Sequence, residues 1–236
     1  MKKIVLIFIA FSSFAQNNIK AIYNVKISED KALKSSPVID NSFIKKINEN
    51  AEQQEPFLLF NNELSVFKLD DNAILENKLV AITILTTTTP LYIDLANKTK
   101  FNVSDDKQFI IMDSLLMDWN LVNETKKIGE YVCYKAIQTH HYTNGRYDKQ
   151  GNLKYFEKSV IAWYCPELNY SYGPRGFGGL PGLIIELQYD NILYGLKKIE
   201  FNSKEKLPLF SKKAKIISRS DFEKMDLDIK KSNIKG

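Results

Sequence analysis

Apolar residues recur at every second position through much of this 236-residue chain, and that period suits an extended backbone rather than a helix. Successive side chains of a strand point to opposite faces, so alternation marks a strand buried on one side only. Over 19–27, for example, Ala21, Tyr23, Val25 and Ile27 share one face. Further strands are expected over 57–60, 63–69, 79–87, 91–95, 99–103, 108–113, 131–139, 159–164, 183–189, 193–201 and 214–218, separated by turn-forming clusters such as Asn61-Asn62. The period becomes helical in two places. Asp40 is a candidate N-cap for a helix carrying Phe43, Ile44 and Ile47, stopped by Glu55-Pro56. Ser220-x-x-Glu223 reads as a capping box opening a helix through Phe222, Met225 and Ile229. The expected fold is mainly β: a single antiparallel, strongly curved sheet, an open half-barrel or sandwich, with one N-terminal and one C-terminal short helix.

The first residues set the compartment. Lys2 and Lys3 precede an apolar run over 4–11, and small residues end at Ala15, the pattern of a signal peptide over 1–15. The apolar run is far short of the roughly 20 residues that span a bilayer, and the later apolar runs are strand-sized. A single domain over 16–236 is therefore expected in the periplasm or outside the cell, with no integral span after cleavage. Loss of Lys2 and Lys3 lowers the formal charge from +5 to +3, which is too mild and dispersed to argue for nucleic acid.

Half of the ten glycines fall within 173–182, in the string GPRGFGGLPG, which leads into an apolar strand. No Gly-Lys-Ser/Thr ending follows it, as a phosphate-binding loop would need, and the chain has no Gly-x-Ser-x-Gly elbow. Two readings stand. In one the segment is a buried turn that feeds the strand over 183–187 into the core. In the other it displays Tyr170, Tyr172, Arg175 and Phe177 to a ligand or partner. The candidate contact residues are Tyr172, Arg175, Phe177, Leu180 and Trp163. Trp119 and Trp163 read first as core or rim aromatics.

An ordered set of motifs surrounds this segment. It comprises Trp119-Asn-Leu121, Lys127-Ile-Gly-Glu-Tyr131-Val-Cys133-Tyr-Lys135-Ala136, Ala162-Trp163-Tyr164, Pro166-Glu167, Gly173-Pro174 and Gly179-Leu-Pro-Gly-Leu-Ile184. Together they resemble the signature of the GLPGLI family of exported proteins from Bacteroidota-type bacteria, over about 109–187. The resemblance implies export and supplies no reaction. Cys165 stands where it implies a residue other than cysteine.

Cys133 and Cys165 are the only cysteines, and both lie in expected strands. In an exported chain they are either a disulfide or two packed thiols, and a catalytic thiol ranks third. His140 and His141 are adjacent, so on a strand they point to opposite faces and do not ligate one metal together. They precede Asn144-Gly145, a hairpin-turn signal. No metal, cofactor or catalytic residue is assigned. The function expected is non-enzymatic binding or accessory work in the envelope, with an apolar ligand or a protein partner. The alternatives are an envelope hydrolase using carboxylates such as Asp113, Asp118 and Glu167, or a structural partner of an outer-membrane assembly.

Overall fold

The alternating segments assemble into a twelve-stranded sheet in the computed structural model, which describes residues 18–27, 42, 45, 49–50, 52–69, 90–150, 153–210 and 213–225. The strands are β1 (Asn18–Ile27), β2 (Phe57–Phe60), β3 (Leu64–Lys68), β4 (Leu91–Asp94), β5 (Thr99–Val103), β6 (Phe109–Ser114), β7 (Asn120–Ile128), β8 (Tyr131–Tyr147), β9 (Leu153–Cys165), β10 (Leu183–Tyr189), β11 (Ile192–Ser203) and β12 (Lys215–Ser218). Their order across the sheet is β12-β6-β5-β4-β3-β2-β1-β11-β10-β9-β8-β7. The sequence is thus two meanders joined where β1 pairs with β11. The order ends at β12 and β7, so the sheet is not closed into a barrel. The signal segment, most of the 40–54 helix and the 79–87 strand fall outside the described residues.

Ring contacts record how far the sheet bends. β3 and β11 are three steps apart, about 14 Å on a flat sheet. Even so, the rings of Phe67 and Tyr194 sit 5.8 Å apart, with Tyr23 of the intervening β1 6.2 Å from Phe67. The main core collects on this concave face, where Tyr23, Leu58, Phe60, Phe67, Ile93, Leu183, Ile184 and Tyr194 are buried. A second core lies under β2 to β5 and comprises Phe57, Leu59, Val66, Tyr92 and Phe101. Phe210 roofs it, with ring centroids 4.9 Å from Tyr92 and 5.2 Å from Phe101.

Four details differ from the expectation, each for a local reason. β7 carried no clear alternation because it is an edge strand, mostly exposed, with a register shift between Val122 and Thr125. β8 runs straight through Asn144-Gly145 to Tyr147, and those two residues fall in the irregularity between Thr143 and Tyr147 instead of forming the hairpin turn. β12 pairs parallel with β6, the exception in an otherwise antiparallel sheet. The helix over 219–225 is capped by Ser218, not Ser220: Ser218 Oγ accepts from the Asp221 N–H at 3.1 Å and donates to its carboxylate at 2.7 Å. β12 ends at Ser218, so that hydroxyl is the one that meets the first turn.

Candidate functional site

The glycine-rich segment plugs the concave face and touches both wings of the sheet. Pro174–Gly176 forms a single 3-10 turn, and Tyr172 and Gly178 make an isolated antiparallel bridge. The Gly179 N–H donates to Ser171 O at 2.9 Å, and the Trp119 indole N–H donates to Gly178 O at 2.9 Å. A Cβ on Gly178 would lie 2.7 Å from the Ser171 carbonyl oxygen, so the close approach of these strands requires glycine. Tyr172 is 1% exposed and packs on Phe60 of β2, and Leu180 is 1% exposed. Phe177 packs toward the other wing, 5.4 Å from the His140 ring of β8 and 6.0 Å from Tyr189 of β10. Gly178 lies against Ile93 of β4. β4 and β8 are seven steps apart, about 34 Å on a flat sheet, so one short loop reaches both only because the sheet wraps around it.

Arg175 projects from the loop into the space between the wings. Its φ of 57° is left-handed, a conformation of about 1 kcal/mol or more for a residue of this size. Its guanidinium carbon stands 4.4 Å above the Tyr189 ring, and its Nη1 donates to the Tyr194 hydroxyl at 3.2 Å.

The space it enters is a cleft of about 630 Å³. One wall comes from β5 and β6 with Lys100 and Asp113, the other from β8, β9 and β10 with His140, Tyr142, Lys158 and Tyr189. Phe177 forms the floor with Arg175, and Arg219 and Glu223 of the C-terminal helix border the rim. Four fixed cations therefore face two carboxylates among the lining residues. Asp113 is shared, 3.9 Å from Lys100 and 3.6 Å from Arg219, while Arg219 also donates to Asn102 at 2.7 Å. Lys158 pairs with Asp190 just outside the lining.

His140 reports the field inside this cleft. Burial first, then the charges of Lys100 and Arg175, hold its imidazole down to about 4, so it is neutral at ordinary pH. Lys100 is pulled below its ordinary value by burial and by Arg219, against the opposing pull of Asp113.

Of the five candidate contact residues, the cleft gathers Arg175 and Phe177. Tyr172 and Leu180 belong to the core beneath. Trp163 is five residues from Lys158 along β9, an odd step, and so faces the other side of the strand. There the Lys126 ammonium covers it at 4.3 Å while bonding Glu186 at 2.6 Å. Asp113 lines the cleft, and Asp118 accepts from the Gln138 amide at 2.9 Å at its margin. Glu167, in the turn after β9, does not line it. Lys100, Lys158, Tyr142 and Tyr189 carried no distinguishing sequence signal, because isolated lysines and tyrosines on strands are ordinary.

Cys133 and Cys165 are free and buried. Tyr134 pairs with Tyr164, which puts the cysteines opposite each other at the next position of the ladder. Burial, and then the neighbouring Cys165, push the Cys133 thiol up to about 11, which removes it from nucleophilic chemistry near neutrality. His141 meets its cross-strand neighbour Glu157 at 3.4 Å. Among the described residues no group of three or more His, Cys, Asp or Glu side chains could hold a metal ion. No described helix is long and apolar enough to cross a membrane.

No curated protein matches this chain. Among solved structures, two crystal forms described as structures of PNGF-II, in space groups P21 and C2, superpose with TM-scores of 0.53 and 0.52 at 12% and 13% identity. Each match covers 89% of this chain but only 33% and 32% of the other, so the chain spans about a third of those proteins, and the likeness is one of fold. Residues 119–186, from the tryptophan that anchors the loop to the strand that follows it, are similar to a family described as a protein of unknown function, Porph_ging.

Proposed function

We propose that this chain is an exported, non-enzymatic binding or accessory protein of the GLPGLI family, and that its ligand enters the cleft between the two wings of the sheet. The intact string Gly179 to Ile184 supports the family, and the basic, apolar, then small-residue leader supports export. The observation that carries the binding reading is the cleft itself. It has the volume of a small-molecule site, its walls come from both meanders, and a rigid buried loop holds Arg175 in a strained conformation inside it. Glycines and prolines of the loop serve this architecture, while Arg175 and Phe177 supply contact. A hydrolytic reading has less support, since Asp113 is engaged by two cations and the Cys133 thiol is held protonated.

Native mass spectrometry of the mature protein, purified gently from its own envelope, tests this reading. An added mass that leaves on denaturation, and is lost in Phe177→Ala, is the expected result. A ligand-free protein that hydrolyses envelope material, with activity abolished in Asp113→Asn, would replace binding with catalysis.

A further inference from the structure

An apolar groove lies on the face of the sheet away from the cleft. Val103 of β5 and Ile110 of β6 are each an odd step from Lys100 and Asp113 on the same strands, so the two pairs point to opposite faces. The groove holds about 440 Å³ between Tyr92, Val103 and Ile110 of the strands and Pro208, Leu209 and Phe210 of the segment after β11. Residues 204–210 run without regular structure, and Leu207 and Phe210 anchor them by packing on the second core. Leu209, between those anchors, is 98% exposed. Ile216 of β12 pairs in parallel register with Ile110, so it shares the groove's face, and it is 70% exposed. A single exposed leucine is ordinary on a protein surface. Two bulky aliphatic side chains beside an open apolar groove form a larger surface, which burial against a partner would remove from water.

The charges around the groove select what covers it. Lys204 and Lys206 precede Leu209 on the chain, and Lys107 lines the groove. Lys215, next to Ile216, donates its N–H to Gln108 O at 2.8 Å, which brings it beside Lys107. All four lysines are exposed. Of the carboxylates nearby, Glu205 pairs with Lys20, Asp106 accepts from the Ser104 hydroxyl at 2.6 Å and the Gln108 N–H at 3.0 Å, and Asp105 belongs to the groove lining. Lysine is depleted at protein–protein interfaces, which disfavours a protein partner here. Cations around protruding aliphatic side chains suit the surface of an anionic bilayer, where the apolar tips enter the acyl boundary and long lysine side chains reach back to the headgroups. We propose that this surface docks on a membrane leaflet containing anionic lipid, with Leu209 and Ile216 entering the acyl boundary and Lys107, Lys204, Lys206 and Lys215 meeting headgroup phosphates. Docking on this face leaves the cleft uncovered, and it does not require a ligand there.

Co-sedimentation of the mature protein with vesicles of phosphatidylcholine alone, and of an equal mixture with phosphatidylglycerol, tests the assignment. Binding is expected to the mixed vesicles only, and to fall as salt is raised. It should weaken by about tenfold or more in Leu209→Ala, and by a similar factor when Lys204→Gln and Lys206→Gln are combined. These side chains are exposed, so their replacement leaves the core intact. Lys127→Gln, on the edge strand β7 and away from the groove, should bind as the parent does. In Leu209→Trp the added indole emission should shift to the blue on the mixed vesicles, which places that side chain in the acyl boundary. Equal binding to both vesicles without a salt effect would overturn the anionic assignment. Binding unchanged by Leu209→Ala and by the lysine pair would overturn the surface. If neither vesicle binds and a co-purifying envelope protein is lost in Leu209→Ala, a protein partner replaces the lipid. None of these failures bears on the cleft, whose own test reads an added mass lost in Phe177→Ala.

Discussion

The hydroxyl of Tyr23, in β1, donates a 2.8 Å hydrogen bond to the carbonyl of Ile184, in β10, the two residues being separated by 161 positions in the chain. The bond is buried and skips over β11, the strand that lies between β1 and β10. It ties the first strand to the end of the glycine-rich segment, and burial drives the Tyr23 phenol well above its ordinary value, so it stays a donor.

Tyr23→Phe preserves the ring packing against Phe67 and deletes only this donor. A loss of about 1–2 kcal/mol is expected, the cost of removing one partner of a buried hydrogen bond. Urea unfolding should show a lower midpoint with an unchanged slope.

Gly182 has a φ of 152°, and a Cβ there would sit 2.2 Å from the Cys165 carbonyl oxygen. The clash is with backbone, which has little room to yield. Gly182→Ala is therefore expected to cost about 3 kcal/mol or more and to lower the thermal midpoint by several degrees, measured by circular dichroism.

Cys133 and Cys165 stand opposite each other on adjacent strands, both buried. Protein made in a reducing cytoplasm should resist alkylation while folded and take up two labels in denaturant. On the proposal that the chain is exported, protein recovered from the envelope should have a non-reducing mass about 2 Da lower, the pair closing as buried neighbours do in an oxidising compartment.

His140 makes stability depend on pH. Its folded value of about 4 lies below the ordinary 6.5, so between these values the unfolded chain binds a proton that the folded chain does not. The contribution is full above about pH 6.5 and is lost as pH falls toward 4, a decline on the order of 1–3 kcal/mol. His140→Gln should flatten that part of the stability profile in denaturant titrations at stepped pH.

The legible parts of the chain were those in which local chemistry matched the final environment. β2, β5 and β10 fall at the boundaries that alternation and turn residues indicate. β7 was illegible because an edge strand exposed on most of its length has no buried face to impose a period. Asn144-Gly145 misled because the residues that favour a tight turn also suit an irregular step within a long strand. Ser220-x-x-Glu223 has the spacing of a cap, yet Ser218 occupies the end of β12, and position decides which hydroxyl meets the helix.

By itself the sequence determined a β-rich chain and a glycine-rich segment too constrained in its backbone to be a linker, because period and φ preference are properties of neighbouring residues. Only the tertiary structure decided which strands adjoin, how sharply the sheet bends, and that Lys100, His140, Lys158 and Arg175 surround one cleft. Alternation specifies the face a side chain occupies but not the strand across from it. That pairing is settled by burial summed over both wings and by the loop packed between them.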